Sequence, residues 1–122
     1  MRKITAALLV AGALLAGPAL AHQPAQHQGM NHSMAATAAN PYGSAEMKMH
    51  EKMMGATGAD ASETWVRKMI EHHRGGIETS RIAVAQAKDP MVKQMAQKTA
   101  TMQEKEVAEL QGWLRQHGKS AQ

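Results

Sequence analysis

The chain has 122 residues, enough for one domain at most, and a formal charge of +4 from 14 basic and 10 acidic residues. It has no cysteine and no phenylalanine but 11 methionines, so disulfides, thiolate metal sites and thiol nucleophiles are excluded. Without Arg2 and Lys3, twelve basic residues face ten acidic ones, too small a surplus to point to nucleic acid or a membrane surface as the partner.

Arg2 and Lys3 precede an apolar run over residues 4–15, followed by Gly17-Pro18 and the small-x-small triplet Ala19-Leu20-Ala21. This predicts a signal peptide over residues 1–21 and an exported, periplasmic product that begins at His22, with no membrane insertion of the mature chain. Residues 22–43 have little apolar content beyond Ala and Met and are expected to be a disordered tail. His22, His27, Met30, His32 and Met34 punctuate it, a composition that fits a weak metal-binding tail and an inert polar linker equally well.

The turn cluster Asn40-Pro41-Tyr42-Gly43-Ser44 leads into a predicted helical domain over residues 44–118, with a short tail at 119–122. Its first helix is expected over residues 44–54 and carries Met47, Met49, His50, Met53 and Met54. Met47, His50 and Met54 share one face at i, i+3, i+7, while Met49 and Met53 form a second pair at i, i+4. A helix of about eleven residues is marginal alone and must dock to persist. Docking through flexible thioethers is the plain structural account of any single Met here.

The second helix is expected over residues 60–88, opened by Asp60 with Glu63 as its capping-box partner. Trp65, Val66, Met69, Ile70, Ile77 and Val84 form its apolar stripe. Gly75-Gly76 inside it costs roughly 1 kcal/mol per residue relative to Ala, which predicts a close approach by a neighbouring helix or a ligand. Asp89-Pro90 pairs an N-cap with a Pro at the first helical position, and Gly118 is a natural stop for a third helix running to about residue 117. Val92, Met95, Thr99, Met102, Glu106, Leu110, Trp113 and His117 step along one face of that helix. The short junction at Asp89 forces the two long helices antiparallel. The expected fold is all-α: a helical hairpin plus a short Met-rich helix, of four-helix-bundle type. Its remaining apolar face would be covered by a second copy or by close docking of the short helix.

Met69 lies three and four residues before His72 and His73, so the three side chains are neighbours on one helix surface. Thioether and imidazole together suit a soft or borderline ion, copper above all. Met95 and Met102, seven apart, share a face on the partner helix, and Glu106 would orient an imidazole by accepting its other N–H. His72 points to the side, as a ligand or as a hydrogen-bonding neighbour of one. The competing reading makes the His pair polar residues beside a core stripe, satisfied by carboxylates. Neither Glu-x-x-His nor His-Glu-x-x-His occurs in the chain, which speaks against a di-iron carboxylate site and a zincin protease. Binding, not catalysis, is expected.

The pattern Met-Ile-x-His-His-x-Gly-x-Ile over residues 69–77, the Asp-Pro turn, Gln103-x-x-Glu106-Val107 and Trp113-Leu114 together resemble domain-of-unknown-function family 305. The resemblance covers residues 62–117 and implies a ferritin-like helical fold and, through the family's exported CopM-like members, copper binding. Met69, Ile70, His72, His73, Gly75 and Ile77 match the family motif. Glu71 stands where that motif has Pro, Arg74 where it has Gln, Gly76 where it has Ala, Thr79 where it has Met, and Leu110 where a Met is common. Met95, Met102 and the Met-rich short helix are the available substitutes for those thioethers. The expected protein is a periplasmic copper carrier, Cu(I) favoured with Cu(II) or Ag(I) as alternatives. It would sequester metal or hand it to a copper-handling partner, alone or as a homodimer. Its expected ligands are Met69, His72, His73, Met95 and Met102, with Met47, Met49, His50, Met53 and Met54 as an auxiliary cluster. The alternative is an exported helical-hairpin interaction module in which the same side chains serve packing and surface.

Overall fold

A computed structural model describes residues 35–122; the expected signal peptide and the tail positions His22 to Met34 lie outside the described residues. Three helices follow in order: α1 (Gly43–Gly55), α2 (Ala61–Gln86) and α3 (Pro90–Gln116), with no strand among the described residues. The chain is all-α and of bundle type, as its periodicity predicts. Three of the helix boundaries have a clear local cause. The Asp60 carboxylate accepts from the Glu63 N–H at 2.9 Å, and Glu63 reaches back to the Ala59 N–H at 3.1 Å, one residue before the N-cap itself. Asp89 accepts from the N–H groups of Met91 and Val92 at 2.7 and 3.3 Å, with Pro90 at the first helical position. At the far end Gly118 adopts φ +65°, while its N–H donates to the Arg115 carbonyl and the Lys119 N–H to the Leu114 carbonyl. That is a Schellman closure.

Helix α2 is the shared wall. α1 packs against it from one side and α3 from the other, and the backbones of α1 and α3 stay apart. The short connections at residues 56–60 and 87–89 make both neighbours antiparallel to α2. Against α1, Met49 lies over Gly75, Lys48 pairs with Glu78 at 3.0 Å, and the Lys68 ammonium donates to the Met53 carbonyl at 2.6 Å. This last contact adds to the Ala56 N–H, which donates to the same carbonyl at 3.3 Å, at the end of α1. Against α3, the Gln103 side chain lies on Gly76 and Arg81 pairs with Glu104 at 2.9 Å. Val66, Ile70 and Leu114 form a buried cluster flanked by Val107, Leu110 and Trp113. The close approach anticipated at Gly75-Gly76 is therefore made twice, by a helix on each side.

The register of α3 differs from the expectation. Residues on its inner side are Ala96, Ala100, Gln103, Val107 and Leu114, one position round from the stripe that contains Met95 and Met102. Side-chain size at the contact sets the distance between helices. Gln103 reaches the Gly76 backbone only if its neighbours along the seam are small, which Ala96 and Ala100 are. The methionines turn outward.

Residues 119–122 lie against α2. Lys119 pairs with Glu63 at 3.1 Å, and the Gln122 side-chain amide donates to the Arg67 carbonyl and to Glu71 at 2.8 and 2.9 Å. The backbone oxygen of Gln122 accepts from Arg74 and Gln111 at 2.7 and 2.6 Å. Glu71 and Arg74, two departures from the family pattern, thus serve this contact. Glu63 sits almost fully buried beneath it. The Ala59 N–H, then Arg67 and Lys119, hold its carboxyl at about 2, down from an ordinary 4.5. A carboxyl lowered on folding stabilises the native state above its unfolded pKa, and that stabilisation is lost as pH falls through the folded value. Stability measured by denaturant should accordingly decline between about 4.5 and about 2, with a shallower decline in Glu63→Gln; identical slopes would remove Glu63 from the acid response.

The two glycines make a contrasting pair. A Cβ at position 75 would overlap the Cβ and Cγ of Met49, atoms tied to the α1 backbone, whereas one at 76 meets only the mobile end of Gln103. Gly75→Ala should lower the unfolding free energy by about 1–3 kcal/mol through overpacking. Gly76→Ala should be neutral or gain up to about 1 kcal/mol from helix propensity. Equal effects in the two variants would contradict this account of the α1 contact.

Candidate functional site

Helices α2 and α3 diverge over the thin core to leave an open groove of about 760 Å³, lined by apolar side chains that include Trp65, Val66, Leu110 and Trp113. Met69, His73 and Glu106 also line it. One helical turn separates Met69 from His73, and the ring is held at both nitrogens. Nδ1 lies 2.7 Å from the Met69 carbonyl and Nε2 lies 2.7 Å from the Glu106 carboxylate. Both partners are acceptors, so the two hydrogen bonds coexist only on a ring bearing two N–H groups.

Glu106 meets an imidazole, as expected, at the ring nitrogen that faces the groove. The backbone carbonyl four residues back orients the imidazole and fixes the proton on Nδ1, which leaves Nε2 as the nitrogen facing the groove. Glu106 occupies that nitrogen. A metal at Nε2 would displace the Glu106 carboxylate or share it.

The other candidate ligands divide into separate groups. His72 is exposed and lines a second groove of about 450 Å³ together with Met49, Glu46 and Gly76. Its ring centroid is 5.8 Å from that of His73, edge to face. The adjacent histidines therefore serve two grooves, as residues 100° apart on a helix must unless both side chains bend inward. Met95 and Met102 are 61% and 51% exposed, and neither lines the groove around His73. On α1, Met47, His50 and Met54 are exposed on the outer side while Met49 and Met53 are partly buried toward α2. The five expected principal ligands do not share one groove, and the auxiliary cluster on α1 is itself divided between two faces. Met69 and His73 are the pair the fold brings to one groove.

Among the described residues no three His, Asp or Glu side chains gather into a site. A hard divalent ion, which needs several oxygens, has no cage here. One thioether and one imidazole, with a carboxylate at hand, fit a soft ion of low coordination number. Sequence reasoning overlooked the Nδ1 contact, although any His in a helix interior has the carbonyl four residues back within reach of Nδ1. It also overlooked Trp65 as a wall of the groove.

The fold and this groove define a small all-α protein with a soft-donor pair beside an apolar cleft. The family model described as Domain of unknown function (DUF305) matches residues 13–114, and the chain belongs to that family. The match begins well before residue 62, where the motif resemblance starts. No curated protein and no solved structure matches the chain.

The fixed ring has a direct signature. In a long-range nitrogen–proton spectrum, the neutral ring of His73 should carry its proton on Nδ1. An Nε2–H tautomer for neutral His73 would refute this orientation of the ring.

Proposed function

We propose that the chain is an exported, periplasmic copper-binding protein that sequesters Cu(I), with Ag(I) as a second soft cargo, or hands it to another copper-handling protein. The observation that carries this reading is the Met69–His73 pair on one groove, with the imidazole oriented by its own helix. It is a binding protein on this reading, not an enzyme. Cu(I) suits the donors because a thioether and a neutral imidazole satisfy a two- or three-coordinate soft ion without thiolate, which an oxidising compartment would consume. A CopM-like role within the family is part of the same proposal, and its support is the double-His motif at residues 72–73. Among the described residues no helix is long and apolar enough to cross a membrane.

A second reading is favoured by a different observation. Trp65, Met91, Met95 and Met102 are large apolar side chains left exposed, as an interaction module with no metal role would require.

A Cu(I) competition titration against a chromogenic chelator separates the two. His73→Ala should weaken binding at least about tenfold, about 1.4 kcal/mol, with apo helicity unchanged, and Met69→Leu should do the same while conserving core volume. His72→Ala should weaken it less. Absence of binding in the parent protein would end the copper reading and leave the interaction module.

A further inference from the structure

Helix α3 carries a stripe beside its seam with α2, exposed at Met91, Met95, Lys98 and Met102 and reaching the rim of the groove at Glu106, Glu109 and Trp113. These residues recur at helical spacing. Met91 is 68% exposed, and Met95 and Met102 accompany it at 61% and 51%. A single exposed thioether is ordinary; three in line on one helix mark a surface that something covers.

We propose that this stripe docks on the same stripe of a second copy of the chain, antiparallel about a two-fold axis that passes at Met102. A two-fold contact brings together positions equidistant from its axis. Lys98 lies four residues before Met102 and Glu106 four residues after it, so each Lys98 meets the partner's Glu106, and the pairing occurs twice. Among the described residues Lys98 makes no ion pair within its own chain. Met91 lies eleven residues before the axis and Trp113 eleven after, which sets a thioether against an aromatic ring at both ends. Met95 falls against the partner's Glu109–Leu110 turn, and Met102 meets its own symmetry mate.

Charge selects this register over those one helical turn away. Moving the axis one turn either way sets Lys98 on the partner's Lys98, or Glu106 on the partner's Glu106. A parallel arrangement stacks both like pairs at once. Such contacts are destabilising in a helix pair. The interface needs no metal. Glu106 holds His73 at 2.7 Å through Oε2, and its other oxygen, Oε1, is the one offered to the partner's Lys98.

The absence of cysteine from the chain makes a single introduced thiol unambiguous. In metal-free buffer, light scattering of the purified protein should give twice the monomer mass. Oxidised Met102→Cys should run as a covalent dimer, while Met54→Cys, 67% exposed on the outer side of α1, should keep its free thiol. Lys98→Glu should shift the protein to monomer with helicity unchanged, and adding Glu106→Lys in the same chain should restore the dimer. A monomeric parent whose Met102→Cys variant keeps a free thiol overturns the proposal, and would assign the stripe to residues 1–34 or to a different protein. Equal cross-linking at positions 54 and 102, or a Lys98→Glu dimer of undiminished stability, overturns it as well.

Discussion

Helix α2 is approached at its midpoint from two sides, and the approach of α1 needs a bare backbone. Met49 of α1 occupies the space beside Gly75, and Gln103 of α3 the space beside Gly76. The two glycines carry a propensity penalty of roughly 1 kcal/mol each, offset by the contacts they admit. Much else is set by this. The tight seam with α3 selects Ala96 and Ala100 for the inside, which turns the neighbouring methionines outward. The same seam opens toward Trp65 and Trp113, where larger side chains hold the helices apart and the groove around His73 begins.

That groove combines an oriented nitrogen with a soft sulfur on a single helix. Because both donors sit on α2, one turn apart, their relation does not depend on how α1 or α3 is placed; the backbone of one helix maintains it. Glu106 is the contribution of α3, and its 2.7 Å contact with Nε2 sets a carboxylate at the polar end of the groove. On the proposed reading, the openness of the cleft is consistent with handover. A low-coordinate ion held at the surface leaves room for an acceptor's ligands to enter before the first ones leave.

Much of this was legible in the residues. Asp60, Asp89-Pro90 and Gly118 act on the backbone within a few positions of themselves, so helix number and limits could be read locally. The Met69–His73 pair follows from i, i+4 spacing alone. What failed was the choice between two stripes on α3. Hydrophobicity ranks Met95 and Met102 above Ala96 and Ala100, yet which stripe faces inward depends on the surface α2 presents to it, and no periodicity within α3 carries that information. The divergence of His72 from His73 was hidden for a related reason: which flank of α2 each neighbour occupies is a property of the assembly. Likewise the docking of residues 119–122 depends on Arg67, Glu71 and Arg74, far away in the chain.

The separation of the α1 and α3 backbones has an energetic meaning. The three helices are connected in series, each outer one held mainly by the middle one. Release of α1 therefore exposes Gly75 and its surroundings but leaves the buried Val66–Ile70–Leu114 cluster intact, whereas release of α3 removes that cluster altogether. Amide protons of α1 should exchange through a local opening well below the global unfolding free energy, and those of α2 near the cluster only with the whole. The molecule is thus graded in stability from one edge to the other, with its most labile helix the one richest in methionine.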